Sequence, residues 1–347
     1  MSSPHAQTPA ALLTDDPWVS RRRCCGLGLL GGLGWMWPTW ATAQTGRVLR
    51  VGEIKFVSHA ALDADQKGFA AGLAGAGFKV GENLQFLRHD AQGDMRQAHT
   101  QAQSLVRAGV DLVHAIATPS AQAVMQTGSR LPLVFSSVTD PVRAALVPAN
   151  SAPGQKTGTH VTGVSDLWPV HLQLQTYAKA VPDAKVWGTI YNPDEVNSLT
   201  HVQALHTEAR RLGLRLIEAT VRSSAEVEQA ATQLAAQVQA MVITSDNTTV
   251  VALEAIARVC GERQIGLFAG DTDSVARGAV MAYGLDYFLV GYSAGRKAAL
   301  VLKGISPGEV PWGPVEKFSL HINLRAARAQ GLSLSPALLA KADKILP

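Results

Sequence analysis

Leu131–Val142 reads LPLVFSSVTDPV, and its chemistry changes half-way along. Pro132 suits the first position of a strand, where no ladder N–H is missed. Leu133, Val134 and Phe135 form a short apolar run of the kind found in strands buried on both faces. Ser136, Ser137, Thr139 and Asp140 follow as polar residues, and Pro141 biases Asp140 toward extended or turn geometry. In open α/β sheets, ligands bind beyond the carboxyl ends of the strands. The stretch therefore reads as a buried parallel strand ending in a hydroxyl-rich ligand shelf. A Ser/Thr/Asp turn that only caps the next segment is the competing reading.

The pattern upstream supports the strand. Val48–Ile54 predicts a strand that leads into Lys55-Phe56-Val57-Ser58-His59, and Ala60–Leu73 has helical spacing. Leu84–Arg88 predicts a second strand. Asp94 with Gln97 resembles a capping box, followed by a helical apolar stripe through Ala98, Ala102, Leu105 and Val106. Leu112–Ala117 predicts a third strand, and Thr118-Pro119-Ser120 opens a helix with Pro in its first turn. Four strands alternating with three helices predict a parallel, doubly wound sheet.

The same alternation restarts downstream. Strands are predicted at Val161–Val164, Val186–Tyr191, Leu214–Ala219, Met241–Thr244, Ile265–Phe268 and Ala279–Tyr283. Helices are predicted at His171–Ala180, Val196–Leu212, Ser223 to about Gln237, Thr248 to Cys260, and Tyr287–Lys303. A strand at Val315–Ile322 and a helix at Pro336–Ile345 form the tail. The chain is two similar α/β halves in series.

The first 43 residues carry the marks of an export signal. Arg21-Arg22-Arg23 precedes an uncharged run, Cys24–Trp37, and Ala41-Thr42-Ala43 supplies a small-residue cleavage pattern before Gln44. Adjacent arginines behind a long polar region resemble a twin-arginine signal, with Sec export as the alternative. Gly26–Gly31 matches G-x-G-x-x-G literally, but no strand precedes it, so it is no nucleotide site. Cleavage after Ala43 leaves 28 basic and 25 acidic side chains and one cysteine, Cys260, among apolar helical neighbours. That excludes an internal disulfide and predicts a buried, inert thiol. No dense Lys/Arg run points to nucleic acid or anionic lipid.

The predicted strand ends share one chemistry. They carry Ser58 and His59; Thr118 and Ser120; Ser137, Thr139 and Asp140; Tyr191, Asn192, Asn197 and Ser198; Asp246, Asn247 and Thr248; and Asp271. Phe56, Trp168, Tyr283 and Tyr287 lie close by in sequence. Two such sheets facing each other make a cleft for a small ligand. Helix N-termini after Thr118, Asn192 and Asn247 suit a carboxylate, and Asp246 or Asp271 suits an ammonium, so the expected ligand is zwitterionic. Any one of these residues has the alternative role of a cap or turn.

In this order the loops resemble the periplasmic substrate-binding proteins of ABC transporters, in the group that includes tryptophan/tyrosine-type binding proteins. The resemblance rests on His59-Ala60-Ala61-Leu62-Asp63 with Lys67-Gly68-Phe69, Ala117-Thr118-Pro119-Ser120-Ala121, Val138-Thr139-Asp140-Pro141-Val142, Val161-Thr162-Gly163-Val164-Ser165, Tyr191-Asn192-Pro193, Tyr283-Gly284-Leu285-Asp286-Tyr287 and Ile322-Asn323-Leu324. It implies a type I periplasmic-binding fold, with two Rossmann-like doubly wound lobes joined by three crossing segments. The implied layout is an export signal at 1–43, an N-terminal lobe at 44–160 and 284–315, and a C-terminal lobe at 161–283 and 316–347. Hinges are expected near His160–Val164, Ala282–Gly284 and Val315–Ser319. Departures are Ala60, where the family often has Pro, and a longer loop at Pro153–His160.

The function implied is capture of a small amino-acid-like solute in the periplasm and its delivery to a permease in the inner membrane, by a monomer without cofactor or metal. A periplasmic sensor of the same fold is the alternative. An exported enzyme is a third reading, but H-E-x-x-H is absent from the sequence, and a single mature cysteine allows no C-x-x-C.

Overall fold

The structure is a computed structural model that describes residues 47–347. The expected export signal lies outside the described residues. In chain order the first half runs β1 (Leu49–Lys55), α1 (Ala60–Ala74), β2 (Leu84–Asp90), α2 (Met95–Ala108), β3 (Leu112–Ile116), α3 (Thr118–Gln126), β4 (Leu133–Val138) and β5 (Val161–Ser165). The second runs α4 (Val170–Ala178), β6 (Val186–Tyr191), α5 (Val196–Arg211), β7 (Arg215–Thr220), α6 (Val227–Ala235), β8 (Ala240–Ile243), α7 (Asn247–Val251), α8 (Leu253–Arg263), β9 (Gly266–Asp271) and β10 (Met281–Leu285). The chain ends with α9 (Tyr287–Leu302), β11 (Gly313–Pro314), β12 (Phe318–Asn323), α10 (Leu324–Ala329), α11 (Pro336–Leu339) and β13 (Lys344–Leu346).

The strands form two sheets. One has the order β2-β1-β3-β4-β5-β11, the other β7-β6-β8-β9-β10-β12-β13. All pairs are parallel except β10 with β12. Strand order reverses between β1 and β3 in the first sheet and between β6 and β8 in the second. Those are the switch points at which doubly wound sheets hold ligands. Every residue of β3, β4, β8 and β9 is buried, as expected of parallel strands covered on both faces. Asp94 caps α2, with its carboxylate accepting from Arg96 and Gln97 N–H. Cys260 is buried in α8, where burial pushes its thiol up to about 12.

Sheet pairing moves the expected lobe boundaries. Val161–Ser165 does not open the second lobe; it pairs with β4, Leu133 against Val161, and belongs to the first sheet. A five-residue strand buried along its length needs neighbours on both sides, and β4 and β11 supply them. Gly163 permits this contact, since a Cβ there would lie 2.3 Å from the Phe135 carbonyl oxygen. Gly284 likewise belongs to β10 and the second sheet. The crossings therefore fall at Asp166–Trp168, at Asp286 and between β11 and β12, where Val315 had been included in the expected hinge. The tail helix is also shorter than expected, because Lys344–Leu346 pairs with β12 as a strand.

The first lobe is anchored by two helices in backbone contact. Gly68 and Gly72 of α1 face Gly291 and Gly295 of α9. A Cβ on Gly291 would lie 1.9 Å from the Asp65 carbonyl oxygen, and one on Gly68 would lie 2.0 Å from that of Phe288. Backbone atoms cannot swing aside as side chains do, so a methyl group here forces the helices apart. Gly291→Ala is expected to lower stability by about 1–3 kcal/mol, the usual range for overpacking. Urea unfolding checks this, and an unchanged midpoint would contradict the close approach.

Candidate ligand-binding site

The carboxyl ends of the two sheets face each other across a cavity. Eight of the residues expected from the sequence line it: His59, Thr118, Ser137, Thr139, Asn197, Asp246, Asn247 and Asp271. They come from the loops after β1, β3, β4, β6, β8 and β9, three from each sheet.

Backbone strain marks the first lobe's wall. Ala117 has φ +76° and Ser137 φ +54°, both unusual for residues with a Cβ. Ala117 turns the chain directly from β3 into α3, whose first turn contains Pro119. The Thr118 and Ser120 hydroxyls at this helix start are buried and have no partner within the protein. Ser137 Oγ donates to Asp65. His59 precedes α1; burial holds its imidazole down at about 4, so it is neutral, and its Nδ1 is buried without a partner.

The second lobe contributes acid and amide groups. Asn197 Nδ2 donates to the Ser245 carbonyl at 2.6 Å, leaving its buried Oδ1 without a partner. Asp246 caps α7 through Thr249 N–H at 2.7 Å and also accepts from Asn192 N–H and Ser198 Oγ, each at 2.6 Å. Burial and the nearby Glu195 push its carboxyl up to about 7. Asp271 accepts from Ser274 N–H at 2.8 Å and from Ser274 Oγ at 2.6 Å.

The remaining expected residues do not line the cavity. Ser58 turns outward to Asp90 at 2.7 Å, and Asp140 caps the following turn through Arg143 N–H at 2.9 Å. Tyr191 donates to Glu218 at 2.6 Å, away from the cavity. Ser120 is fully buried in the first turn of α3. Asn192, Ser198 and Thr248 brace the acids, with Thr248 Oγ1 donating to Glu195 at 2.9 Å.

Sequence reasoning missed Asp166, Ser245 and the bracing role of Glu195, and it named Trp168 and Tyr287 only as nearby aromatics. All but Glu195 line the cavity. Asp166 and Trp168 lie on the first crossing, which the misplaced boundary hid. Asp166 accepts from Tyr287 OH at 2.6 Å and from Thr139 Oγ1 at 3.1 Å, and burial raises its pKa. Trp168 stacks on His201 with ring centroids 4.7 Å apart, and its Nε1 donates to Tyr287 OH at 3.2 Å.

The charge balance is one-sided. Among the described residues, Asp166, Asp246 and Asp271 line the cavity, no Lys or Arg does, and the histidine that does, His59, is neutral. Buried carboxylates need a cation or several donors. A ligand that brings a positive charge relieves this shortage, and the free hydroxyl at the start of α3 suits the opposite charge.

The family model described as ABC transporter substrate binding protein matches residues 50–346. The chain belongs to that family. A curated relative, the tyrosine-binding protein of Clostridioides difficile (strain R20291), is 34% identical over 297 residues, 85% of each chain. Among solved structures, an ABC domain from Streptococcus pneumonia in complex with L-Trp is 29% identical, with TM-score 0.81, covering 86% of this chain and 99% of that one. The ligand-free, open structure of a substrate-binding protein from Clostridium difficile is 30% identical, with the same coverages and TM-score 0.64. The architecture is the type I periplasmic-binding fold shared by this substrate-binding family.

A second polar cluster lies under the cavity floor. Glu53 Oε2 is 3.1 Å from His114 Nδ1, His114 Nε2 is 2.8 Å from Ser136 Oγ, and Ser136 Oγ donates to Asp65 at 2.9 Å. The acid–His–Ser order is that of a catalytic triad. All three residues are fully buried, so no substrate reaches this serine. Burial pushes Asp65 up to about 6, against the pull of His114, Ser137 and Ser136. The folded chain thus holds the Asp65 proton more tightly than the unfolded chain does. That contribution is complete below about pH 4 and is lost as pH rises through about 6, with a span of about 3 kcal/mol. Asp65→Asn is therefore expected to flatten the fall in stability between about pH 4 and 6.5. Urea melts across that range check it, and an unchanged slope would contradict the assignment.

Proposed function

We propose that the chain is the extracytoplasmic receptor of an ABC transporter for an aromatic amino acid, and that it hands the ligand to an inner-membrane permease. The observation that carries this reading is the cavity's acidity: three buried carboxyl groups and, among the described residues, no Lys or Arg in its lining. An amino acid supplies the ammonium to the wall of Asp166 and Asp271. Its carboxylate takes the Thr118 hydroxyl and the free N–H groups at the start of α3, where the helix dipole favours an anion. Leu62, Val250 and the Trp168 indole supply apolar wall for a side chain. The relatives that bind tyrosine and L-Trp support an aromatic one.

The lobes act by closing. The chain superposes better on the L-Trp complex than on the open, ligand-free relative of similar identity, which supports a closed form here and a hinge at the three crossings. Ligand shifts the chain toward the closed form by its higher affinity for that form. Export follows the Arg21–Ala43 signal, with the mature chain starting at Gln44.

The test is a melting screen of the mature chain, refolded to strip carried ligand, against the amino acids and a panel of sugars. At about 1,000 times Kd, binding adds about 4 kcal/mol and raises the midpoint by several degrees. L-Trp or L-Tyr is expected to give the largest shift. A shift from a sugar, with silence from every amino acid, would overturn the ligand class.

A further inference from the structure

Six residues around the cavity close a ring of hydrogen bonds. Thr139 Oγ1 and Ser245 Oγ are 3.1 Å apart, and Ser245 Oγ is 2.7 Å from His201 Nδ1. His201 Nε2 accepts from Trp168 N–H at 3.3 Å. Trp168 Nε1, Tyr287 OH and Asp166 complete the circuit back to Thr139.

The protons in this ring have one consistent arrangement. A backbone N–H only donates, so His201 Nε2 is an acceptor and the ring proton sits on Nδ1. Burial holds the His201 pKa down at about 3, so the imidazole carries that single proton. Nδ1–H donates to Ser245 Oγ, Ser245 donates to Thr139 Oγ1, and Thr139 donates to Asp166. From the other side, Trp168 donates to Tyr287 and Tyr287 to Asp166. Both chains of donation end on the Asp166 carboxylate.

Thr139 follows β4 in the first lobe, whereas Ser245 follows β8 in the second. Their hydroxyl protons are committed, unlike those of Thr118 and Ser120. We propose that Thr139 and Ser245 are the latch of the closed cleft rather than ligand contacts, and that His201 is the positioning residue that aims the latch. The Thr139–Ser245 bond exists only while the lobes are together, so its loss acts on the lifetime of the closed complex. An ammonium beside Asp166 favours the ionised form of the carboxyl on which the latch ends, which links closure to the ligand's amine. The choice of ligand rests on the amino-acid reading above; the latch geometry does not.

The test is a double-mutant cycle on the dissociation rate of L-Trp, or of L-Tyr if it binds more tightly, read by stopped-flow competition. Ser245→Ala is expected to speed release about tenfold in the wild-type background, but less than twofold in Thr139→Val, because the partner hydroxyl is already gone. Thr139→Ser, which keeps the hydroxyl, is expected to stay within about twofold of wild type. A tenfold effect of Ser245→Ala in both backgrounds would mean independent ligand contacts and would overturn the latch, as would no effect in either. If the wild-type chain binds no amino acid, the functional reading fails separately. The cycle is then read by small-angle scattering of the unliganded chain, where the latch requires Ser245→Ala to be more open than wild type. Equal dimensions would overturn it.

Discussion

The Asp166 carboxylate is buried on a segment that passes from one lobe to the other, and the cavity lining offers it no cation. Its two oxygens draw in Tyr287 from the first lobe's last helix and Thr139 from the end of β4. Through Thr139 the pull extends to Ser245 and His201 in the second lobe. The hydrogen bonds that join the two lobes at the cavity thus converge on one buried acid at the crossing. A buried carboxylate satisfied only by neutral donors is poised to gain from a cation. In the proposed function, ligand recognition and lobe closure meet at the same atom group.

That arrangement needs a rigid base. The four glycines of α1 and α9 let the helices touch backbone to backbone, which fixes Leu62 and Tyr287 relative to each other. The strained Ala117 and Ser137 stand at adjacent strand ends, where Ala117 turns the chain into α3 and the Ser137 hydroxyl is tied to Asp65. Beneath them the Glu53–His114–Ser136–Asp65 line fills the interior with polar groups that satisfy one another. In the proposed function, the first lobe is a preformed half-site onto which the second lobe closes.

Much of this was legible in the sequence, for physical reasons. Parallel strands buried on both faces read as apolar runs, and ligand loops follow their carboxyl ends, so LVFSSVTD announced both strand and shelf. What local pattern cannot give is direction. Ser136 and Ser137 are neighbours, yet one is sealed in the core and the other lines the cavity. Asp140 and Asn192 carry the same chemistry as their cavity-lining neighbours, but Asp140 caps a turn and Asn192 holds Asp194 N–H and Thr248. Asp166 and Trp168 escaped because the lobe boundary is set by pairing of β5 with β4 and with β11, far along the chain. Glu195 follows Asp194 in a loop, and its role appears only when Asn247 and Thr248 fold back onto it.

The central claim is that the cavity reads both charges of an amino acid. Calorimetric titration tests it most directly, using whichever of L-Trp and L-Tyr binds more tightly, its analogue lacking the amino group, and its analogue lacking the carboxylate. Each deletion leaves buried groups unpaired, so both analogues are predicted to bind roughly a hundredfold or more weaker than the amino acid. An amine-free analogue that binds as tightly as the amino acid would contradict the account, because the carboxylates of Asp166 and Asp271 would then have no part in holding the ligand.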